Sequence, residues 1–208
     1  MKWLDHLEEW IITMLMGVAT LIIFVAVVHR YAAGLSIPGL QDHLLRLNMS
    51  WAQEATIYLF VWMAKFGAAY GVRTGIHVGV DVYINRLTER NRAKFVLIGL
   101  GAGALFTGVI AVLGANFVWG NGAHHFFLKL FGLPLDGIPE GPVTPDLEMP
   151  TWIVYLAIPL GSSLMCFRFL QVASTFHRTG ELPHHDHGQV EGIDEVEVPD
   201  LHPTGVKS

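Results

Sequence analysis

Four long apolar stretches constrain this chain more than any other feature. A hydrocarbon core about 30 Å thick needs roughly 20 helical residues, and a backbone in lipid must satisfy its hydrogen bonds within the segment. Only 15% of the 208 residues are charged, which argues against the alternative of buried helices in a soluble protein. The sequence therefore predicts an all-α integral membrane protein with four transmembrane helices, at about 10–31, 51–72, 93–119 and 151–172.

The distribution of Lys and Arg predicts the orientation of these spans. Of the thirteen Lys and Arg residues, nine lie on the side of the two chain ends, three lie on the other side, and Lys65 lies within a span. Because an excess of bases stays cytoplasmic, we expect both termini in the cytoplasm. The segment before the first span contains Asp5, Glu8 and Glu9, and this acidic character argues against a cleaved signal peptide.

The segments outside the spans differ in character. Residues 34–50 place leucines at helical spacing among polar residues, which predicts an amphipathic helix in the outer membrane interface. Residues 121–150 mix Gly and Pro with four acids and Lys129, and we expect a folded or semi-ordered outer loop with an acidic surface. Residues 177–208 hold seven acids and two bases. We expect a membrane domain over 1–176 and a disordered, acidic cytoplasmic tail over 177–208, whose histidines are solvent-exposed.

Small residues recur at helical spacing inside the spans. Gly67 and Gly71 form one GxxxG pair, and a longer stripe repeats at every fourth residue of the third span: Gly99, Gly103, Thr107, Ala111 and Ala115. Such stripes allow helix backbones to approach closely in lipid. In the fourth span, Pro159 removes a backbone donor two residues before Gly161, which predicts a kink or a loosened turn.

The second span contains two charges, Glu54 and Lys65. They are about 16 Å apart along a helix axis and cannot pair with each other. Glu54 lies at a depth similar to that of Arg30, so we predict an ion pair that joins the first two spans. The alternative makes Glu54 a proton or cation carrier. Lys65 lies deeper, and either its ammonium reaches the inner surface or its partner belongs to another polypeptide.

After the second span, Arg73, His77 and Asp81 repeat at every fourth residue between glycines. We interpret this as a turn in which Asp81 caps a short amphipathic helix, and no metal site is expected because further ligands are lacking.

One cysteine, Cys166, gives neither a disulfide framework nor a thiolate metal site. Four tryptophans suit interfacial anchoring: Trp3, Trp10, Trp51 and Trp152.

Several of these residues together resemble a known family. The ordered elements are Ser50-Trp51-Ala52-Gln53-Glu54, then Trp62, then Gly67-Ala68-Ala69, then Arg73, His77 and Asp81. They resemble the signature of the DctQ family, the small membrane subunit of tripartite ATP-independent periplasmic (TRAP) transporters. His29-Arg30-Tyr31 and Ile158-Pro159-Leu160-Gly161 fit the same pattern. The resemblance covers residues 10–172, and the lengths of the two outer segments resemble the branch that serves C4-dicarboxylates such as succinate, malate and fumarate.

The resemblance implies a role without catalysis, in the bacterial inner membrane. A periplasmic binding protein would deliver the acid, a large membrane subunit would hold the substrate and sodium sites and move as an elevator, and this subunit would extend the fixed scaffold. It would bind membrane lipids, but no substrate, metal, cofactor or nucleic acid of its own. The motif residues would be structural or lie at the subunit interface: Arg30, Trp51, Glu54, Trp62, Lys65, Gly67, Gly71, Arg73, His77, Asp81, Pro159 and Gly161.

Two alternative functions come from other classes. A haem-binding anchor of a respiratory complex needs histidines that face each other within the spans, whereas His29, His77, His124 and His125 lie at span ends. A small self-sufficient cation exporter would use Glu54 as its carrier and would work without partners.

Overall fold

The computed structural model describes residues 2–35, 39–74 and 89–180. His77, Asp81 and nearly all of the predicted tail lie outside the described residues. Within them, regular structure is helical apart from one isolated β-bridge between Val143 and Pro150. In chain order the helices are α1 Lys2–Ala33, α2 Leu40–Arg46, α3 Ser50–Thr74, α4 Glu89–Val118, a π-helical turn Trp119–Ala123, α5 His124–Leu130, α6 Thr151–Tyr155 and α7 Ala157–Thr179.

Four of the helical stretches are long and apolar enough to cross a membrane: His6–Ala33, Ser50–Thr74, Asn91–Leu130 and Thr151–Thr179. The predicted all-α fold with four spans is therefore confirmed. Each stretch is longer than its predicted span because the helices continue beyond the apolar residues. The last stretch joins α6 to α7 and reaches Thr179, three residues past the predicted end of the membrane domain.

The long helices lie side by side in the order α1, α3, α7, α4. Each packs on its neighbour in that order, and over the described residues α1 makes no contact with α4. The arrangement is thus a row, not a closed four-helix bundle. The start of α1 and the end of α7 share one end of the row, here called the termini end. The opposite end, with α2, α5 and residues 131–150, is called the loop end.

The interface between α4 and α7 is the most extensive in the row. At the termini end it buries Val96 and Leu100 of α4 against Val172 and Phe176 of α7. In the middle, a Cβ added to Gly103 would lie 2.8 Å from the ring of Phe169. This close approach is what the small residues of α4 were predicted to permit.

The predicted stripe of small residues on α4 is buried only at its centre. Thr107 and Ala111 are buried, whereas Gly99 and Ala115 at its two ends are exposed. Four residues turn a helix by about 40° more than one full turn, so an every-fourth-residue stripe drifts around the helix. The buried seam instead combines spacings of three and four residues: Val96, Leu100, Ala104, Thr107, Ala111, Gly114 and Val118.

A break separates α6 from α7, close to where the sequence predicts one. The α-helix is interrupted at Leu156, which lies three residues before Pro159. Pro159 has no N–H to donate to the carbonyl of Tyr155, and its ring crowds that carbonyl. Beside this turn α7 packs closely on α4, since a Cβ added to Gly114 would lie 2.9 Å from Ile158.

The predicted amphipathic segment forms α2 at the loop end. Two contacts between a side chain and a backbone carbonyl tie it to α1. His29 Nε2 lies 2.9 Å from the carbonyl oxygen of Leu44, and Gln41 Nε2 donates to the carbonyl of Ala33 at 3.3 Å. A carbonyl can only accept, so Nε2 of His29 carries the proton in this contact. Both bonds hold α2 at the end of α1.

Backbone hydrogen bonds bring the two ends of residues 142–151 together, and this segment is here called the closed loop. The Thr144 N–H donates to Met149 O at 2.8 Å and the Thr151 N–H donates to Pro142 O at 3.0 Å. The Thr144 side chain is buried and its Oγ1 accepts from the Met149 N–H. The expectation of a folded loop is confirmed for residues 142–151. The four acids of the outer segment 121–150 are exposed: Asp136, Glu140, Asp146 and Glu148.

Two glycines let the chain cross itself beside the closed loop. Gly122 and Gly141 both have positive φ, of 112° and 85°. A Cβ on Gly141 would lie 2.6 Å from Asn121 O, and a Cβ on Gly122 would lie 2.7 Å from Glu140 O. Because both obstacles are backbone atoms, side chains larger than hydrogen do not fit at this crossing.

The prediction that Trp152 is an interfacial anchor is wrong. Trp10 is 77% exposed and Trp51 37% exposed, as lipid-facing anchors would be, but Trp152 is only 9% exposed. It lies in a cluster with Val118 and Ala123 and within 5.2 Å of the ring centroid of Phe126. Trp152 is therefore a core residue of the loop end. The side chain of Trp3 lies outside the described residues.

Candidate functional site

Glu54 holds the closed loop against the helix row. It lies in the first two turns of α3 and is 8% exposed. Its Oε2 accepts hydrogen bonds from the backbone N–H groups of Asp146 and Leu147, both at 2.8 Å. Its Oε1 accepts from the hydroxyl of Tyr58, one turn along the same helix. Both carboxylate oxygens are thus occupied, and a charged acceptor makes such bonds stronger than neutral ones.

The predicted ion pair between Arg30 and Glu54 is wrong. In the described part of the chain, Glu54 binds Tyr58 and the closed loop, while Arg30 is exposed and forms no ion pair or hydrogen bond. The prediction matched the two residues by depth. It failed because a loop distant in sequence folds back and offers two backbone donors at the same depth.

This geometry favours a structural role for Glu54 over a carrier role. A carrier carboxylate must exchange its proton or cation with water. Here the carboxylate is buried and three donors surround it. The arrangement can fix residues 144–147 to α3, and releasing the carboxylate would leave the N–H groups of Asp146 and Leu147 without their charged acceptor.

A second polar contact ties the termini end. Arg168 of α7 is fully buried and donates through Nε and Nη2 to Oε1 of Glu8, at 3.0 and 2.7 Å. Its Nη1 donates to Gln171 at 2.7 Å. Glu8 is itself 1% exposed. The contact joins α1 to α7 across α3, two helices that are not neighbours in the row.

The sequence contains a signal for this pair. Glu8 belongs to the acidic segment before the first span, and Arg168 lies at the inner end of the fourth span. Because the four spans alternate in direction, both residues lie at the termini end of the row. Depth matching, applied to Arg30 and Glu54, would have paired these two residues correctly.

Arg73 also contacts the start of α1. Its Nη1 lies 3.9 Å from Oε1 of Glu9, and its guanidinium lies over the ring of Tyr70 at 5.7 Å from the centroid. The predicted group of Arg73, His77 and Asp81 cannot be compared further, since the last two lie outside the described residues. Arg73 therefore adds a contact between α1 and α3 at the termini end.

Lys65 lies at the contact between α3 and α7. A Cβ added to Gly161 would lie 2.6 Å from Cβ of Lys65 and 3.3 Å from its Cδ. Gly161 thus makes room for the aliphatic part of the lysine. Within the described residues the ammonium of Lys65 forms no ion pair or hydrogen bond. The two explanations drawn from the sequence for this charge both remain predictions.

The other motif residues serve packing or face outward. Trp62 stacks on Phe66 with ring centroids 5.9 Å apart, and Pro159 and Gly71 are buried. Around Gly67 an added Cβ would meet nothing within 4 Å, so one half of the predicted GxxxG pair faces away from the other described residues. Over residues 6–35, 39–74 and 91–180, no group of three His, Cys, Asp or Glu side chains could hold a metal ion.

Comparison with known proteins decides the family. The family model described as "Tripartite ATP-independent periplasmic transporters, DctQ component" matches residues 19–178. The chain belongs to the DctQ family of TRAP transporters. This membership places it among membrane components of transporters, not among enzymes.

Individual relatives agree with this membership. The chain is 53% identical to the C4-dicarboxylate TRAP transporter small permease protein DctQ of Rhodobacter capsulatus, over 93% of this chain and 86% of the relative. It is 31% identical to the protein of the same name from Vibrio cholerae, over 83% and 72%. It is 26% identical to the sialic acid TRAP transporter permease protein SiaT of Haemophilus influenzae, over 87% of this chain and 24% of that longer protein. No solved structure matches this chain.

Proposed function

We propose that this chain is the small subunit of a C4-dicarboxylate transporter and acts as a fixed brace for a large membrane subunit. The substrate class is supported by the names of the relatives from R. capsulatus and V. cholerae. A large partner is supported by the H. influenzae permease, of which this chain would span only 24%. The succinate, malate or fumarate and the coupling sodium ions would bind to the large subunit.

The observation that carries the brace role is the row of helices tied at both ends. Glu54 fastens the closed loop to α3 at the loop end, and Glu8 pairs with Arg168 at the termini end. A buried pair fixes the relative positions of its two helices, because separating them leaves a buried charge. A row also extends over a greater width of the membrane than a closed bundle of the same helices. Both features suit a part that must stay still while its partner moves.

The loop end would face the periplasm and receive the binding protein. The excess of Lys and Arg at the termini end supports this orientation. The closed loop and the segment before it present four exposed acids. Complementary charge on the binding protein would mainly raise the rate at which the two proteins meet. This increase becomes smaller as the ionic strength rises.

Reconstitution into liposomes tests the brace role. With the large subunit and the binding protein present, we expect uptake of labelled succinate that depends on a sodium gradient. With this chain alone, we expect no flux, and calorimetric titration of the isolated chain with succinate should give no binding heat. Ion-coupled flux by the chain alone would refute the brace and would revive the exporter hypothesis.

Neutralising the outer acids tests the docking role separately. Asp136→Asn, Glu140→Gln, Asp146→Asn and Glu148→Gln are combined in one variant. The complex should assemble normally but take up succinate more slowly at limiting binding-protein concentration. Asp42→Asn, an exposed acid on α2, is the control. Equal uptake by the combined variant and the control would refute docking on this surface while leaving the brace role intact.

A further inference from the structure

A cavity of about 730 Å³ opens at the loop end between α1, α2 and the start of α3. Its wall is apolar over most of its depth, with Ile23, Ala26 and Val27 from α1 and Leu45 from α2. Arg30, Ser50 and Gln53 bring polar groups to the same cavity. Among the residues that the structure describes, no Asp or Glu lines it. The cavity therefore combines a hydrocarbon-like wall with one cationic side chain.

The cavity is held open by defined contacts, since α2 forms one of its walls. His29 binds the Leu44 carbonyl at 2.9 Å and Gln41 binds the Ala33 carbonyl at 3.3 Å. These bonds fix α2 against the last two turns of α1. The side chain of His29 is used in this way and leaves Arg30 as the cation available to an occupant.

Arg30 has an exposed guanidinium with no counter-ion in the described residues. The acid at its depth, Glu54, is bound by Tyr58 and by two amides of the closed loop. Arg30 lies in the last turn of α1, where an apolar helix leaves the hydrocarbon. A planar guanidinium at this level matches a phosphate through two parallel hydrogen bonds.

The dimensions agree with a lipid. Ile23 lies about 10 Å deeper than Arg30 along α1, so the apolar part of the cavity extends from the interface into the hydrocarbon. We propose that this cavity binds a phospholipid of the leaflet at the loop end, with its phosphate on Arg30 and an acyl chain against Ile23, Ala26 and Val27. The lipid fills the space between α1 and α2 and supplies the anion that Arg30 lacks.

Native mass spectrometry of the complex with the large subunit tests the proposal, with dioleoyl phosphatidylglycerol as the probe. Arg30→Gln should weaken binding about tenfold, the loss expected for one charge-assisted contact. Ala26→Phe should also weaken binding, because its ring occupies the acyl part of the cavity. Arg46→Gln is the matched control, since Arg46 is an exposed base of α2 that does not line the cavity.

Two further probes identify which part of the lipid is recognised. Dioleoylglycerol, which has the acyl chains without the phosphate, should bind equally to the unaltered protein and to Arg30→Gln. Inorganic phosphate at millimolar concentration should not displace the lipid, because it makes no use of the apolar wall. Displacement by inorganic phosphate would identify a simple anion site and would overturn the proposal.

Other outcomes also contradict a phospholipid site. Equal lipid affinity of the Arg30→Gln, Ala26→Phe and Arg46→Gln variants would show that the cavity is not where the lipid binds. Lipid binding by the isolated chain that disappears in the complex would show that the large subunit occupies the cavity. Circular dichroism of each variant confirms that its helices are intact, so that lost binding is not a folding defect.

Discussion

Arg168 and Glu8 are 160 positions apart in the chain, and their side chains meet at 2.7 Å in a fully buried contact. The contact bridges α1 and α7 over the helix that lies between them. Because neither charge reaches water, each depends on the other for its stability in the protein interior. The pair therefore fixes the order of helices at the termini end.

Removing one member of this pair should be costly. We expect Arg168→Ala to lower the free energy of unfolding in micelles by about 3–5 kcal/mol, because it leaves the Glu8 carboxylate buried and unpaired. The measurement is a denaturant titration followed by circular dichroism. Arg178→Ala, at an exposed site on the same helix, should change stability by less than about 0.5 kcal/mol.

The double variant Glu8→Leu with Arg168→Met separates pairing from simple loss of volume. It should be more stable than either single substitution, because no charge is left buried. If the double variant loses as much stability as the sum of its parts, the two residues do not act as a pair.

Glu54 should control the closed loop. In Glu54→Ala, backbone hydrogen exchange over residues 142–150 should become about 10- to 100-fold faster, because the amides of Asp146 and Leu147 lose a charged acceptor. Glu54→Gln keeps one acceptor oxygen and should have a smaller effect. The measurement is hydrogen exchange followed by mass spectrometry of a peptide that covers the loop.

Arg30→Ala is the matched comparison for the Glu54 variants. It should leave exchange in residues 142–150 unchanged, since Arg30 does not contact Glu54. Faster exchange in Arg30→Ala would support the ion pair between Arg30 and Glu54 that the sequence predicts.

Transport assays of the complex test the carrier role of Glu54. The Glu54→Gln variant should retain most of the uptake. If Glu54 were a carrier, this substitution would abolish uptake.

The glycine crossing at the loop end predicts a sharp difference between two conservative substitutions. Gly141→Ala should destabilise the protein by more than about 2 kcal/mol, because it adds a clash with the backbone at Asn121 to the cost of a positive φ. Gly137→Ala has a similar φ of 75° but open space around it. It should cost only about 1–2 kcal/mol, the conformational part.

Thermal unfolding of the purified chain in one detergent measures both glycine variants. The difference between them isolates the effect of the backbone crossing from that of the glycine conformation. Equal melting temperatures would mean that residues 121–122 and 140–141 do not pass within contact distance.

Gly161 and Gly67, which lie within the helices of the row, should also differ in how much stability an alanine substitution costs. Gly161→Ala should destabilise the isolated chain by about 1–3 kcal/mol, because the added methyl meets the Lys65 stem. Gly67→Ala should not destabilise it, since nothing lies within 4 Å of the added atom. If Gly67 packs on the large subunit, Gly67→Leu should reduce co-purification of that subunit and leave the stability of the isolated chain unchanged.

The helices of this fold could be predicted from the sequence because lipid imposes simple rules on them. A stretch such as Phe95 to Ala115 contains no charge and can only be a buried or membrane helix. The leucines of α2 and the proline at 159 are likewise local signals, and their local consequences were predicted correctly. The family could also be predicted, because its motif depends on residue order, which the sequence contains in full.

The polar contacts could not be predicted to the same extent. Glu54 is held by backbone amides of the closed loop, and an amide has no signature in a sequence because every residue except proline carries one. The predictions for Trp152 and for the two ends of the α4 stripe were wrong for a related reason. Their burial depends on how a loop folds and on how far a helix rotates, both of which are set by distant segments.

The closed loop belongs by sequence to the second half of the chain, but Glu54, in the first half, holds it in place. A protease site inserted between residues 133 and 138 would therefore sever the backbone without separating the pieces. The N-terminal fragment would keep hold of its counterpart through Glu54, through Glu8 and through the packing of α4 on α7. The two fragments of this small protein should behave as a stable heterodimer, and each can be labelled or exchanged independently of the other.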